Sequence, residues 1–244
     1  FGGKVAGAEV GALLAFMAGK VLGQYDLAPE GSPRLLLVAP NIVAAEREMD
    51  VDPRDFRLWV AMHEETHRVQ FTAVPWLRDH MIETTRTLAV DLAPTPQELT
   101  ERLTQLATKL PQAFQSGSNG LAEIFLTDEQ RARVAEITAI MSLLEGHADV
   151  VMDDVGPSVI PSVAHIRAKF TDRRAGLSQF DRLLRRMLGL EAKMRQYADG
   201  AVFVRAVTAK VGIDGFNAVW TSPETLPSAA EMADPAAWVA RVHG

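Results

Sequence analysis

The sequence predicts a mainly α protein with a minor β element, organised as a single domain over residues 1–244. Three observations carry that reading. Apolar residues recur at spacings of three and four along most of the chain, the mark of amphipathic helices. One short apolar run, residues 34–40, is bounded by Ser32-Pro33 on one side and Pro40-Asn41 on the other, and reads as a strand. The length, 244 residues, suits one well-buried core and is short for two.

Composition narrows the function classes. Apolar residues make up 48% and charged residues 23%, as in a globular protein in water. The net charge is -6, and no cluster of Lys and Arg with interleaved aromatics is present, so no nucleic acid partner is expected. There is no cysteine; a metal would have to be held by His and carboxylates. The stretch from Val5 to Leu22 is small and apolar but contains Glu9 and Lys20. Charges inside a spanning helix are costly, so it reads as a buried helix with close neighbours, and no membrane span is expected. The chain lacks an obvious exported character, and a cytoplasmic location is expected. The number of chains that assemble is not readable.

The elements follow in order. Asn41 is positioned to cap a helix through Ala44 and Glu48. Asp52-Pro53 opens the next helix: Asp52 can accept from the first free N–H groups, Pro53 suits the first helical position, and Asp55 favours the positive end. Phe56, Trp59 or Val60, His63, His67 and Phe71 then form one face. Pro75 ends or bends this helix, and another follows through His80, Thr84 and Leu88. A break at Pro94–Pro96 precedes an amphipathic helix marked by Leu99, Leu103, Leu106, Leu110 and Phe114, and residues 116–120 form a loop. Thr127 with Gln130 has the form of a capping box opening a helix over 128–153, which Gly156-Pro157 ends. Ser178–Leu188 and Leu190–Val211 read as two further helices with weak points at Gly189 and Gly200. The tail is Pro-rich with a short helix near its end.

His63-Glu64-Glu65-Thr66-His67 is an H-E-x-x-H motif. Two His one helical turn apart point the same way, so both imidazoles can reach one Zn2+ ion. Glu64 can lie beside the metal-bound water as general base, whereas Glu65 is turned about 100° further round the helix. The bland alternative is a pair of core His with Glu64 and Glu65 on a solvated edge. It requires burying two imidazoles without a partner that offsets their desolvation.

Two His leave a tetrahedral zinc short of a ligand. Glu145 and Asp149 lie one turn apart on the predicted helix 128–153. They have the E-x-x-x-D form of the gluzincin third-ligand helix, in which Glu145 would bind zinc and Asp149 would support His63 or His67 from behind. Gly146 at mid-helix is costly in propensity and makes sense if another backbone packs closely there. The alternatives stay open: Glu145 and Asp149 as an exposed acidic face continued by Asp153 and Asp154, and His147 as a rival ligand, a structural His or a substrate-side His.

Taken together, the segments from His63 to Phe71, Leu144 to Asp153, Lys193 to Gly200 and Phe216 to Pro223 resemble an actinobacterial family of zincin-like proteins. Its members are usually called hydrolases or zinc-dependent metalloproteases, and one branch is labelled as associated with coenzyme F420 biosynthesis. The resemblance covers essentially the whole chain, from residue 34 or earlier to its end. It implies a zincin-like metalloprotease fold built on the H-E-x-x-H helix, but no defined substrate. A peptidase of this kind also needs a donor for the oxyanion of its tetrahedral intermediate; Tyr197 could supply it, with His165 or His147 as rivals and a core-packed Tyr197 as the bland alternative.

The expected activity is therefore that of a zinc-dependent metallopeptidase of gluzincin type acting on a peptide or other amide. The competing expectation is a non-catalytic zincin-like binding or scaffold protein whose metal is structural or absent. Met81, Met141, Met152, Met187 and Met194 read as core fillers, and Arg182, Arg185 and Arg186 as a solvated face.

Overall fold

The computed structural model describes the backbone of Gly11 and of residues 18–92, 127–175 and 190–244, with side chains over 18–91, 127–172 and 200–244. Of the buried helix expected at Val5–Leu22, only Gly11 and residues 18–22 are described, and there the helix ends at Ala18 and residues 18–21 are exposed; the rest falls outside the described residues. So do the break at 94–96, the helix marked by Leu99–Phe114, the loop at 116–120, the helix at 178–188, Gly189 and the three arginines. The side chains of Met187, Met194 and Tyr197 also lie outside them.

Along the described chain come β1 (Gly23–Asp26), β2 (Arg34–Leu37), α1 (Ala39–Met49), α2 (Pro53–Ala73), α3 (Pro75–Leu92), α4 (Asp128–Val159), α5 (Val163–Ala175) and α6 (Leu190–Phe216). Two 3-10 turns follow (Asn217–Trp220 and Pro223–Thr225), then α7 (Ala229–Ala233) and α8 (Pro235–His243). The mainly α expectation holds, with one small sheet among the described residues. β2 covers the first four residues of the strand expected at 34–40; Ala39 and Pro40 instead open α1, where a proline suits the first turn. Its antiparallel partner β1, with Gly23 opposite Leu37 and Asp26 opposite Arg34, was not anticipated. Gly23-Gln24-Tyr25-Asp26 is too short and too polar to announce a strand; pairing with β2 and the Asp26–Arg34 ion pair at 2.9 Å define it.

Contacts divide the chain into two compact units, Phe1–Val69 with Val151–Gly176 and Gln70–Val150 with Leu177–Gly244. The core of the first is built from Ile42, Ala45 and Met49 of α1, Phe56 and Val60 of α2, Met152 of α4, and Ile160, Val163 and Ile166 around the start of α5. The core of the second gathers Ala139 and Leu143 of α4, Phe203, Val204, Val207 and Phe216 of α6, and Met232, Trp238 and Val239 of the tail. Burying each of the Val, Leu, Ile, Phe and Met side chains among them is worth about 1.5–3 kcal/mol.

Asp52 accepts from the Asp55 N–H at 2.9 Å at the start of α2, as its sequence position suggests. Pro75 opens α3 directly after the bend at Val74. The Thr127–Gln130 capping box forms in both directions, at 3.0 and 3.2 Å. Met81 and Met152 are core residues.

Three expectations are corrected. Asn41 does not cap α1, because Pro40 fits the first turn and the helix already starts at Ala39. The Asn41 amide instead donates to the carbonyls of Ala18 and Val21, both at 2.7 Å. Gly156-Pro157 does not end α4, which runs to Val159. Pro157 lies in the last turn, so its missing N–H removes a single ladder bond, and the Ile160 N–H closes the turn on the Gly156 carbonyl at 2.8 Å. Gly200 is no weak point: α6 passes through it, and the departure from helical geometry falls at Gly212 (φ 75°, ψ 174°), a conformation open to glycine.

Candidate metal centre

The motif helix α2 is fixed at its beginning. The Asp55 carboxylate accepts from the Ser162 backbone N–H at 3.0 Å and from its hydroxyl at 2.6 Å. Arg57 forks onto Glu46 of α1, with Nε to Oε2 at 2.9 Å and Nη2 to Oε1 at 2.6 Å. Planar, charge-assisted pairs of this kind fix orientation as well as distance, and the Arg57 guanidinium holds the Glu46 carboxyl below its usual range. Above them the rings of Phe56, Trp59 and Phe170 pack on one another, and Trp59 stacks on His63 at 6.0 Å between centroids and 21° between planes.

His63 and His67 converge. Their rings meet edge to face with centroids 4.8 Å apart, and their Nε2 atoms are 3.2 Å apart. Between them in sequence, Glu64 turns inward and is 8% exposed. Its side chain lies against Gly23 of β1. A Cβ at that glycine would stand 2.6 Å from Glu64 Cγ and 2.8 Å from both Cδ and Oε1. Glu65 turns outward and pairs with Arg68, whose Nε lies 2.8 Å from each carboxylate oxygen. That guanidinium holds the Glu65 carboxyl below the usual range. The two neighbouring glutamates are thus separated by environment, one enclosed and one neutralised at the surface.

The turn of α4 that carries Glu145 is held on either side of it. Gly146 meets α6 backbone to backbone: a Cβ on Gly146 would be 2.1 Å from Gly200 C, and one on Gly200 would be 1.9 Å from the Ser142 carbonyl oxygen. The close approach that a mid-helix glycine suggested is therefore present. Gln70, buried near the end of α2, donates from its amide nitrogen to the Leu144 carbonyl at 2.9 Å and contacts His147 Nδ1 at 3.0 Å. The carbonyl acceptor fixes which end of the amide is nitrogen, so Nδ1 of His147 is the acceptor in that contact. The His147 ring stacks on Phe216 at 5.7 Å and meets Trp220 edge-on at 5.4 Å.

One nitrogen from each of His63 and His67 and one carboxylate oxygen of Glu145 lie within 4.8 Å of one another, a group that could hold a metal ion. The donor set suits zinc. Two zinc–nitrogen bonds of about 2.05 Å meeting at the tetrahedral angle put the nitrogens about 3.3 Å apart, close to the observed 3.2 Å. Asp149, half-buried, lies one turn beyond Glu145 on α4. His147 is not in the group; it is occupied by Gln70 and the two aromatic rings. His165 is exposed on α5. Tyr197 lies on α6 one turn before Gly200.

Sequence reasoning did not single out Gly23 or Gln70. For Gln70 a signal existed: it stands seven residues after His63, on the stripe shared by both His, where a polar residue is out of place. Gly23 carried no signal of its own, because its role depends on a strand that the sequence did not announce.

Comparison with known proteins places the chain in a family. The sequence profile described as zincin-like metallopeptidase matches residues 1–239. A crystal structure from Chloroflexus aurantiacus, described as a proposed hydrolase with a novel fold, superimposes with a TM-score of 0.67 at 35% identity. The match covers 98% of this chain and 69% of that one. No curated protein matches the chain significantly. None of the described helices is long and apolar enough to cross a membrane. The family implies a hydrolase with a metal, typically zinc, and a side-chain group able to hold one is present, so the chain belongs to the zincin-like metallopeptidases.

Proposed function

We propose that this chain is a zinc-dependent metallopeptidase of the gluzincin type, acting on a peptide or other amide. In this reading His63, His67 and Glu145 hold the metal and Glu64 is the general base. The observation that carries it is the convergence of the two Nε2 atoms at a spacing suited to zinc, with a carboxylate in reach and Glu64 enclosed beside them. When bound, zinc polarises a carbonyl and makes water more acidic. Glu64 takes the proton of the attacking water and delivers it to the leaving nitrogen. Gly23 leaves the space that the Glu64 side chain fills. Asp149 orients one of the ligand imidazoles from behind. Tyr197 donates to the developing oxyanion, a role supported by its position one turn before the glycine that abuts the Glu145 turn. The family match across both compact units supports reading 1–244 as one functional unit.

The first test is metal content by mass spectrometry of the purified protein and of His63→Ala, after zinc addition. About one zinc per chain, lost in the variant, is expected. No metal in either would leave a binding or scaffold protein as the better reading. The second test is hydrolysis of a peptide library. Glu64→Gln should retain zinc and lose turnover; unchanged turnover would remove Glu64 from its role.

A further inference from the structure

We infer that Gln70 is a positioning residue for the metal centre: its buried amide, bonded to the Leu144 carbonyl and to His147, holds the turn that presents Glu145. The inference rests on the proposed metal site and adds to it a residue outside the H-E-x-x-H motif. Gln70 is 4% exposed and stands three residues beyond His67 on one unbroken helix. Its amide donates to the backbone carbonyl immediately before Glu145 and contacts the side chain two residues after it.

Leu144 O already serves the helix ladder, so the Gln70 bond uses its second lone pair and is not needed for α4 to form. The glycine crossing at Gly146–Gly200 holds the same turn from another direction, and Phe216 and Trp220 hold the ring of His147. A carboxylate ligand must meet the metal within tenths of an ångström. α2 carries both His ligands, and Gln70 links it through the Leu144 carbonyl to the backbone that bears the third. A buried polar side chain costs stability unless its bonds are made, and here they are made to the residues flanking the proposed ligand.

The experiment is titration of the apoprotein with Zn2+ and with Co2+ alone, read as affinity by chelator competition and as the visible absorption of the cobalt form. Gln70→Met keeps the volume and removes the donor. It should weaken zinc binding about 10–100-fold and alter the cobalt spectrum. Thr127→Ala is the control. It removes a cap at the far end of α4, and should lower the melting temperature without changing affinity or spectrum. Should Gln70→Met not fold, Gln70→Asn, which draws the amide back by one methylene, carries the same expectation. Wild-type affinity and an unchanged spectrum in a folded Gln70 variant would overturn the inference. Failure of the wild-type chain to bind either metal would instead overturn the metal site on which it rests.

Discussion

Replacing Gly23 by alanine should displace the Glu64 carboxylate while leaving the proposed metal ligands in place. The new Cβ would stand 2.6 Å from Glu64 Cγ and 2.8 Å from Cδ and Oε1. Carbon atoms in comfortable contact are about 3.5–4.0 Å apart, so the side chain has to retreat by about 1 Å. Glu64 is 8% exposed and cannot swing freely into solvent without giving up its packing. A misplacement of that size at a reacting group costs about 10²-fold in rate, equivalent to about 2.7 kcal/mol on the barrier. The assay is turnover on whichever peptide the library yields, with zinc content measured in parallel. Gly23→Ala should lose about a hundredfold in kcat and keep its metal. The same change placed on Glu64→Gln should cost little more, because both act through one proton transfer. Full activity in Gly23→Ala, or an undiminished further loss in the double variant, would refute the argument.

Gly200→Ala should destabilise the protein by about 3 kcal/mol, since its Cβ would collide with the Ser142 backbone and neither helix can yield alone. That corresponds to a melting temperature lower by about 6–12 °C, measurable by circular dichroism. Asp52→Ala removes the acceptor for the Asp55 N–H at the head of α2 and should cost about 1 kcal/mol in denaturant unfolding. Glu231 is held below the usual glutamate range, first by the Arg241 guanidinium and further by Ser228. A depressed carboxyl contributes stability above its unfolded value of about 4.5 and loses it as pH falls through the lower folded value. Glu231→Gln should therefore lower the melting temperature at pH 7 and flatten its fall below about pH 4.5. An identical acid profile would show that the pair carries no weight.

Local chemistry in the sequence determined the helical class, the start of α2 at Asp52-Pro53, the capping box at Thr127–Gln130 and the spacing of His63 and His67. Each depends on residues within a turn or two of one another, where helical geometry leaves little choice. The cost of a glycine at position 146 likewise pointed to a close neighbour, though not to which one. The tertiary structure decided what depends on distant partners. β1 exists because β2 pairs with it, and only then does Gly23 meet Glu64. The neighbour of Gly146 proved to be Gly200, so a residue that reads as a helix breaker is a contact surface instead. Pro157 was tolerated because it falls in the last turn, which no local signal states. Gln70 reads as an ordinary polar residue until its amide finds a carbonyl 74 positions further along the chain. Sequence periodicity fixes which face a residue occupies; which backbone or side chain meets that face is set by packing.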